Sequence, residues 1–377
     1  MTAGLRSVGA VLIAIGFLQI DPAASQKQPP PQQQPSWPDA ATLAERKREA
    51  ERRRLFRSDE LLPVTLKADF RAVMRDRNDD SVTTFPATIS FPSADGSVQS
   101  MPLRIRTRGH SRRNVRTCTF APLRLEFDKA RAKGTLFDGH GALKLGTHCR
   151  AGRQEIILRE HAIYQMFNLL TPRSFRSRVA KMTYLDAATG KVVAQEAGLF
   201  IEDDDDVAKR LEGRITPVEK PLFVTIEPGS LNLLMLFEYM IGNTDFSIME
   251  QHNVRLVQTP TGRRFAVPYD FDYSGLADAD YASPSKALPI VSVRDRLFRG
   301  PCRTAAEWQP YVDQLRAAKS KVMELFEVPE FSASYRQGAR SYLEQFYRML
   351  DQPSTLKRAI IDPCVKVGMK PIPMSEK

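Results

Sequence analysis

Beyond its first 25 residues the chain has no apolar run long enough to be a transmembrane helix, since about 20 consecutive apolar residues are needed to cross a bilayer core. That excludes a membrane-spanning helix in the body of the protein. Cysteine is scarce. The four present are Cys118, Cys149, Cys302 and Cys364, and their spacings match no zinc pattern. No nucleic-acid-binding motif occurs. The most basic segment, ERKREAERRRLFR at 45–57, has little aromatic interleaving, which argues against a nucleic-acid partner. No internal repeat is visible, so a repeat architecture is excluded as well.

What is present points to export. Arg6 precedes the short apolar stretch VGAVLIAIGFL, and AAS at 23–25 offers small residues for cleavage before Gln26. This pattern predicts a signal peptide over 1–25. The alternative is an uncleaved anchor, but the apolar stretch is short for spanning. An exported, periplasmic or extracellular protein meets an oxidising compartment, so two disulfides are expected rather than four free thiols. Three pairings are open. Cys118 with Cys149 and Cys302 with Cys364 are favoured because each pair is the closer in sequence. The formal net charge is +11. Loss of 1–25 removes one arginine and one aspartate, so the charge stays at +11. Such a protein suits anionic lipid, cell-wall polymer, nucleic acid or acidic substrates as contacts, and the missing motifs disfavour nucleic acid.

The chain has 377 residues, 42% hydrophobic and 26% charged, enough for two domains or one two-lobed domain with extensions. Residues 26–38, QKQPPPQQQPSWP, read as a Pro/Gln linker. A charged helix follows over 40–57, and the two together fill 26–58. Alternating runs such as VTLKADF, ATISFP, MPLRIRTRG, APLRLEF and GALKLGT predict strands. QEIILREHAIYQMFNLL at 154–170 has helical spacing. The reading is α+β: a β-rich half over 59–225 with one inserted helix, then an α-rich half over 226–377. Ligands often sit in the cleft between such halves.

One stretch breaks the pattern. The apolar run LNLLMLFEY is followed by MIGNTDFSIMEQHN at 240–253, which places Asn243, Asp245, His252 and Asn253 within eleven residues. VPYDFDYSG then sets Asp270 and Asp272 between apolar neighbours. A phosphotransferase needs this inventory: one carboxylate to orient the attacking hydroxyl, and an amide oxygen with a second carboxylate to hold the metal. Upstream, Lys144 in a predicted strand and Glu160 in the following helix stand in the order of a phosphate-contacting lysine and its glutamate partner.

Further pieces carry a family resemblance. RTRGHSRR at 106–113, PLRLEF, LKLGTHCR with ILREHAIYQMFN, AGLFIEDDDD at 197–206, QHNVRL and PYDFDYSG occur in that order. Between about Arg104 and Gly275 the chain resembles the CotH-type secreted atypical kinases, which are distantly HipA-like. The resemblance implies a bilobal protein-kinase-like fold, with a β-rich N-lobe carrying one inserted helix and an α-rich C-lobe. It implies ATP with Mg²⁺ or Mn²⁺ as cofactors. Asp245 would be catalytic. Asn253 and Asp270 would bind metal, with Asp272 competing for that role. Lys144 would touch phosphate and Glu160 would hold it. Arg108, Gly109 and Ser111 would form part of the turn over the nucleotide, and Glu202 would lie near the lobe junction.

Two departures are visible. Asp245 and Asn253 are eight residues apart, against about five in the usual kinase loop, so the loop is longer or His252 or Glu250 serves the metal. No GxGxxG is present. Lys181 is the other strand lysine. The acidic run EDDDD at 202–206 reads as a solvated loop. Three functions are open: an exported kinase acting on protein hydroxyls, a related transferase acting on a small molecule or glycan, and an inactive scaffold of the envelope.

Overall fold

Seven strands build the first part of the molecule: β1 (Leu62–Ala68), β2 (Phe85–Pro92), β3 (Val98–Thr107), β4 (Leu123–Glu126), β5 (Ala142–Gly146), β6 (Ser177–Asp186) and β7 (Val192–Ile201), the first four alternating along much of their length and the last three with continuous buried runs. Alternation selects one face for the interior. In β1 the buried residues are Leu62, Val64, Leu66 and Ala68. The computed structural model describes Met1 and residues 36–216, 218 and 220–366. The expected signal peptide and most of the linker lie outside the described residues.

The strands run in the order β1-β2-β3-β4-β5-β7-β6 and close into a barrel. Closure comes from β1 pairing in parallel with β6, from Leu62 opposite Ala180 to Ala68 opposite Asp186. All other barrel pairs are antiparallel. The barrel is filled by large side chains, among them Phe91, Phe137, Tyr184 and Phe200. This corrects the bilobal, protein-kinase-like expectation. The strands close on themselves instead of forming the sheet of an N-lobe, and the described residues from Pro38 onward make one compact unit. Alternation specifies which face of a strand is buried, but not which distant strand it pairs with.

The helices are α1 (Ala40–Glu51), α2 (Phe70–Arg75), α3 (Lys129–Ala132), α4 (Glu155–Leu170), α5 (Asp204–Arg210), α6 (Pro228–Ile241), α7 (Ala305–Glu324), α8 (Ala333–Asp351) and α9 (Pro353–Leu356). A second sheet has the order β10-β9-β8, with β8 at Arg214–Ile215, β9 at Val254–Gln258 and β10 at Arg264–Pro268. Buried side chains of α4, α6, α7, α8, β9 and β10 form a further apolar core. The charged helix expected over 40–57 stops at Glu51, and a 3₁₀ turn covers Arg54–Phe56.

Both favoured disulfides are formed, Cys118–Cys149 and Cys302–Cys364. The first joins the segments after β3 and β5. The second ties the approach to α7 to the segment after α9. No helix among the described residues is long and apolar enough to cross a membrane.

Candidate functional site

The site begins where α6 stops. Gly242 caps this nearly all-buried helix at φ +65, a left-handed conformation that glycine adopts without strain. A Cβ here would also strike the Tyr342 hydroxyl at 2.0 Å. The next residues turn sharply, with the Asp245 amide donating to Asn243 Oδ1 at 2.9 Å. The loop then folds back. Ser247 and His252 exchange two backbone hydrogen bonds of 3.0 Å, which brings Asn253 beside Asp245. Asn253 Nδ2 donates to the Asp245 carbonyl at 2.7 Å and to its Oδ2 at 3.2 Å. His252 Nε2 stands 3.4 Å from Asp245 Oδ1. The eight-residue spacing is therefore taken up by a closed loop, and the Asp–Asn pair meets.

Strands β9 and β10 carry the chain away and back to Asp270, whose φ is +65. The Asp270 amide donates to the Tyr164 hydroxyl of α4 at 2.8 Å. Arg112 Nη2 donates to Asp270 Oδ1 at 3.0 Å, and Arg112 Nε lies 3.3 Å from Asp272 Oδ2. Arg108 Nη2 is 4.0 Å from Asp270 Oδ2. The Tyr281 hydroxyl donates to Asp272 at 2.8 Å. Arg112 was not singled out from the sequence, although it lies in the same RTRGHSRR motif as Arg108. Its 3₁₀ turn after β3 aims it inward, which no local pattern reveals.

The charges around these carboxylates are unequal in effect. Burial opposes ionisation of Asp270, but Arg112, Arg108 and Lys144 outweigh it and hold its pKa below the usual carboxylate value. Burial raises Asp272 to about 6. Glu160 is pushed up to about 8 by burial and by Asp272. Glu160 thus belongs to the Arg112–Asp272 group and is not the partner of Lys144. That expected pair is replaced by Lys144 with Asp204 of α5. Arg255 Nε holds the other Asp204 oxygen at 2.6 Å. Burial lowers the Lys144 pKa, and its ammonium faces the Tyr269 ring at 4.8 Å and the Phe175 ring at 5.4 Å.

The acidic run is not the solvated loop its composition suggests. Glu202 is fully buried and gives both oxygens to Arg176 and Arg210. It locks the end of β7 to α5. Asp206 is also buried and accepts from Arg53 at 3.0 and 3.2 Å. Asp204 alone of the run reaches Lys144. Lys181, the other candidate lysine, is exposed on β6.

Ser111 and Asp245 face a common cleft of about 950 Å³, with Tyr273, His110, Thr244 and Lys286 also on its wall. Gly109 has φ +84 with open space where a Cβ would stand, so the turn it shares with Arg108 needs glycine for backbone conformation and not for packing.

No family model and no curated protein matches the chain. The resemblance to CotH-type kinases therefore rests on its residues alone.

The donors gathered here are oxygens, the chemistry of Mg²⁺ or Mn²⁺. Among the described residues no three His, Cys, Asp or Glu side chains group as a metal site. Asn253 nevertheless presents its Nδ2 to Asp245, leaving the amide oxygen as an acceptor, and Arg112 donates to Asp270 Oδ1 while Arg108 stands 4.0 Å from Oδ2. Those two oxygens fit a hard divalent ion. Asp272, held by Arg112 and Tyr281, fits one less well.

Glu238 in α6 lies beneath this loop. It is fully buried, and neither carboxylate oxygen is hydrogen-bonded. Burial pushes its pKa up to about 8. A folded pKa raised above the ordinary 4.5 gives stability that is complete below that value and is lost as pH rises through about 8. Glu238→Gln is expected to stabilise the fold at pH 8 by on the order of 4 kcal/mol, seen as a higher melting temperature, and far less at pH 5. Melting curves across this range test it, and parallel curves for both proteins would refute it.

Proposed function

We propose that this chain is an exported enzyme that transfers the γ-phosphoryl group of ATP to a hydroxyl, with protein side chains as the substrate class. The observation that carries the reading is the convergence of Asp245, Asn253 and Asp270 from separate stretches. They meet beside Arg108, Arg112 and Lys144, next to an open cleft. In the reaction the substrate oxygen bonds to the γ-phosphorus, and the bond from that phosphorus to the β–γ bridging oxygen breaks. ADP leaves, and Asp245 takes the hydroxyl proton. Asn253 and Asp270 would hold Mg²⁺ or Mn²⁺, which supplies neutralisation of phosphate charge when bound. Lys144 and Arg108 are placed to bind phosphate oxygens. The CotH-like order of motifs supports the same chemistry, and the cleft also suits a glycan hydroxyl. Two disulfides fit an exported protein, and a periplasmic or extracellular site is the compartment we infer.

One observation favours a second reading. Arg112 already neutralises Asp270 and Asp272, as suits a catalytically inactive binding protein of the envelope. Calorimetric titration with ATP, with and without Mg²⁺ or Mn²⁺, separates the two when run beside Asp270→Ala. Metal-dependent binding that disappears in the variant is the expected result. No binding with either metal, in a folded sample, favours the inactive protein.

A further inference from the structure

The basic segment at 45–57 has no part in the site above. Its backbone and part of its side chains are tied down on the barrel. Ala50 and Leu55 are fully buried. Arg53 forks onto Asp206, and Lys47 pairs with Glu212 at 2.8 Å. Arg176 Nη2 donates to the Ala50 carbonyl at 2.8 Å, and Arg178 Nη1 to that of Leu55 at 3.1 Å. Arg54 Nη1 reaches the Gly134 carbonyl at 2.8 Å. The Arg53 guanidinium lies where a Cβ on Gly139 would stand, 1.6 Å away, so this glycine permits the close approach.

These ties hold one wall of a groove of about 1050 Å³. Arg48, Arg52 and Arg57 line it from the α1 side, and Lys129 of α3 lines it from the barrel side. All four are exposed, and none has an ion-pair partner among the described residues. Arg53, Arg54 and Lys209 complete seven basic residues against Glu49, Glu51 and Asp138. Cations at a helix C-terminus are favourable through the helix dipole, which accounts for one or two of them. It does not account for Arg57 or Lys129. Arg48 and Arg52 are one helical turn apart, where like charges repel. A fixed concave surface with this excess invites an anion.

We propose that this groove binds a linear polymer whose units carry phosphate. Arginine forks match phosphate oxygens in geometry. At about 1050 Å³ the groove has room for several units, and its concave wall suits a chain better than a flat bilayer. The binding is independent of the phosphotransfer reading.

The test is titration of the whole protein with inorganic polyphosphate at low and at raised NaCl, beside the triple variant Arg48→Ala/Arg52→Ala/Arg57→Ala and the cleft variant Arg108→Ala. All three groove positions are exposed, so the triple variant should fold, and its melting curve checks this. The expected result is salt-sensitive binding, weakened about tenfold or more in the triple variant with a shallower salt dependence, and retained in Arg108→Ala. Unchanged affinity in the triple variant would overturn the proposal. So would loss of binding in Arg108→Ala alone, no binding by the native protein, or tighter binding to vesicles of equal parts phosphatidylcholine and phosphatidylglycerol than to polyphosphate.

Discussion

Arg112→Ala is expected to destabilise the fold by roughly 3–5 kcal/mol, the cost of leaving buried charge without its partner. Arg112 is 5% exposed and bridges Asp270 and Asp272. Glu160 lies in the same enclosure. Without this guanidinium, two carboxylates face each other and a buried glutamic acid, with Arg108 at 4.0 Å from Asp270 as the nearest remaining ion-pair contact. A loss of this size lowers the melting temperature by about 5–10 °C in a unit of this length. The cavity left by arginine would also cost stability, so a second variant is needed. Arg112→Ala/Asp272→Asn removes one negative charge without refilling the space, and it should regain a good part of the loss. A double variant as unstable as the single would show that packing, and not charge, is what Arg112 supplies. Under the metal reading, Mg²⁺ should raise the melting temperature of Arg112→Ala more than that of the native protein.

Asp245→Asn tests the chemistry directly. The substitution keeps the side chain's volume and its place beside Asn253, but removes the carboxylate that would accept the substrate proton. Transfer from ATP is expected to fall by about 10²–10⁴-fold, the usual contribution of a positioned general base. Affinity for ATP with metal should change little, because Asn253 and Asp270 remain. Single-turnover rates and calorimetry on the same sample separate the two effects. A variant that keeps a tenth or more of the native rate would remove Asp245 from the catalytic role. Weakened ATP binding with an unchanged rate of transfer would instead make it a ligand-binding residue.

Local structure was legible to different depths. The helix at 154–170, the strand of Lys144, the stop at Gly242 and the hairpin ending in Asp270 all lie where apolar periodicity and turn residues put them. The preferred cysteine pairs form, although the second joins residues 62 positions apart that meet only through the packing of α7 to α9. Asp245 and Asn253 were legible as polar residues set against an apolar run, though not their hydrogen bond, which depends on the loop closing through Ser247 and His252. The partner of Lys144 was misread. Asp204 stands in a run of four aspartates whose composition signals solvent exposure, and only the docking of α5 against α1, β8 and β9 brings this carboxylate to Lys144 and Asp206 to Arg53. Arg112 escaped notice because inward and outward arginines look alike in a sequence.

The amino-acid sequence by itself determined the elements, the punctuation between them and the chemical inventory of the site, since each follows from properties of residues a few positions apart. The tertiary structure alone decided that β1 pairs with β6 and closes a barrel, against the bilobal arrangement the motifs suggested. It also decided which cation neutralises which carboxylate. Strand closure and the Arg112–Asp270 pairing join residues more than 100 positions apart, the Lys144–Asp204 pair joins residues 60 apart, and their energies depend on desolvation and shape at the meeting point, which no local pattern encodes.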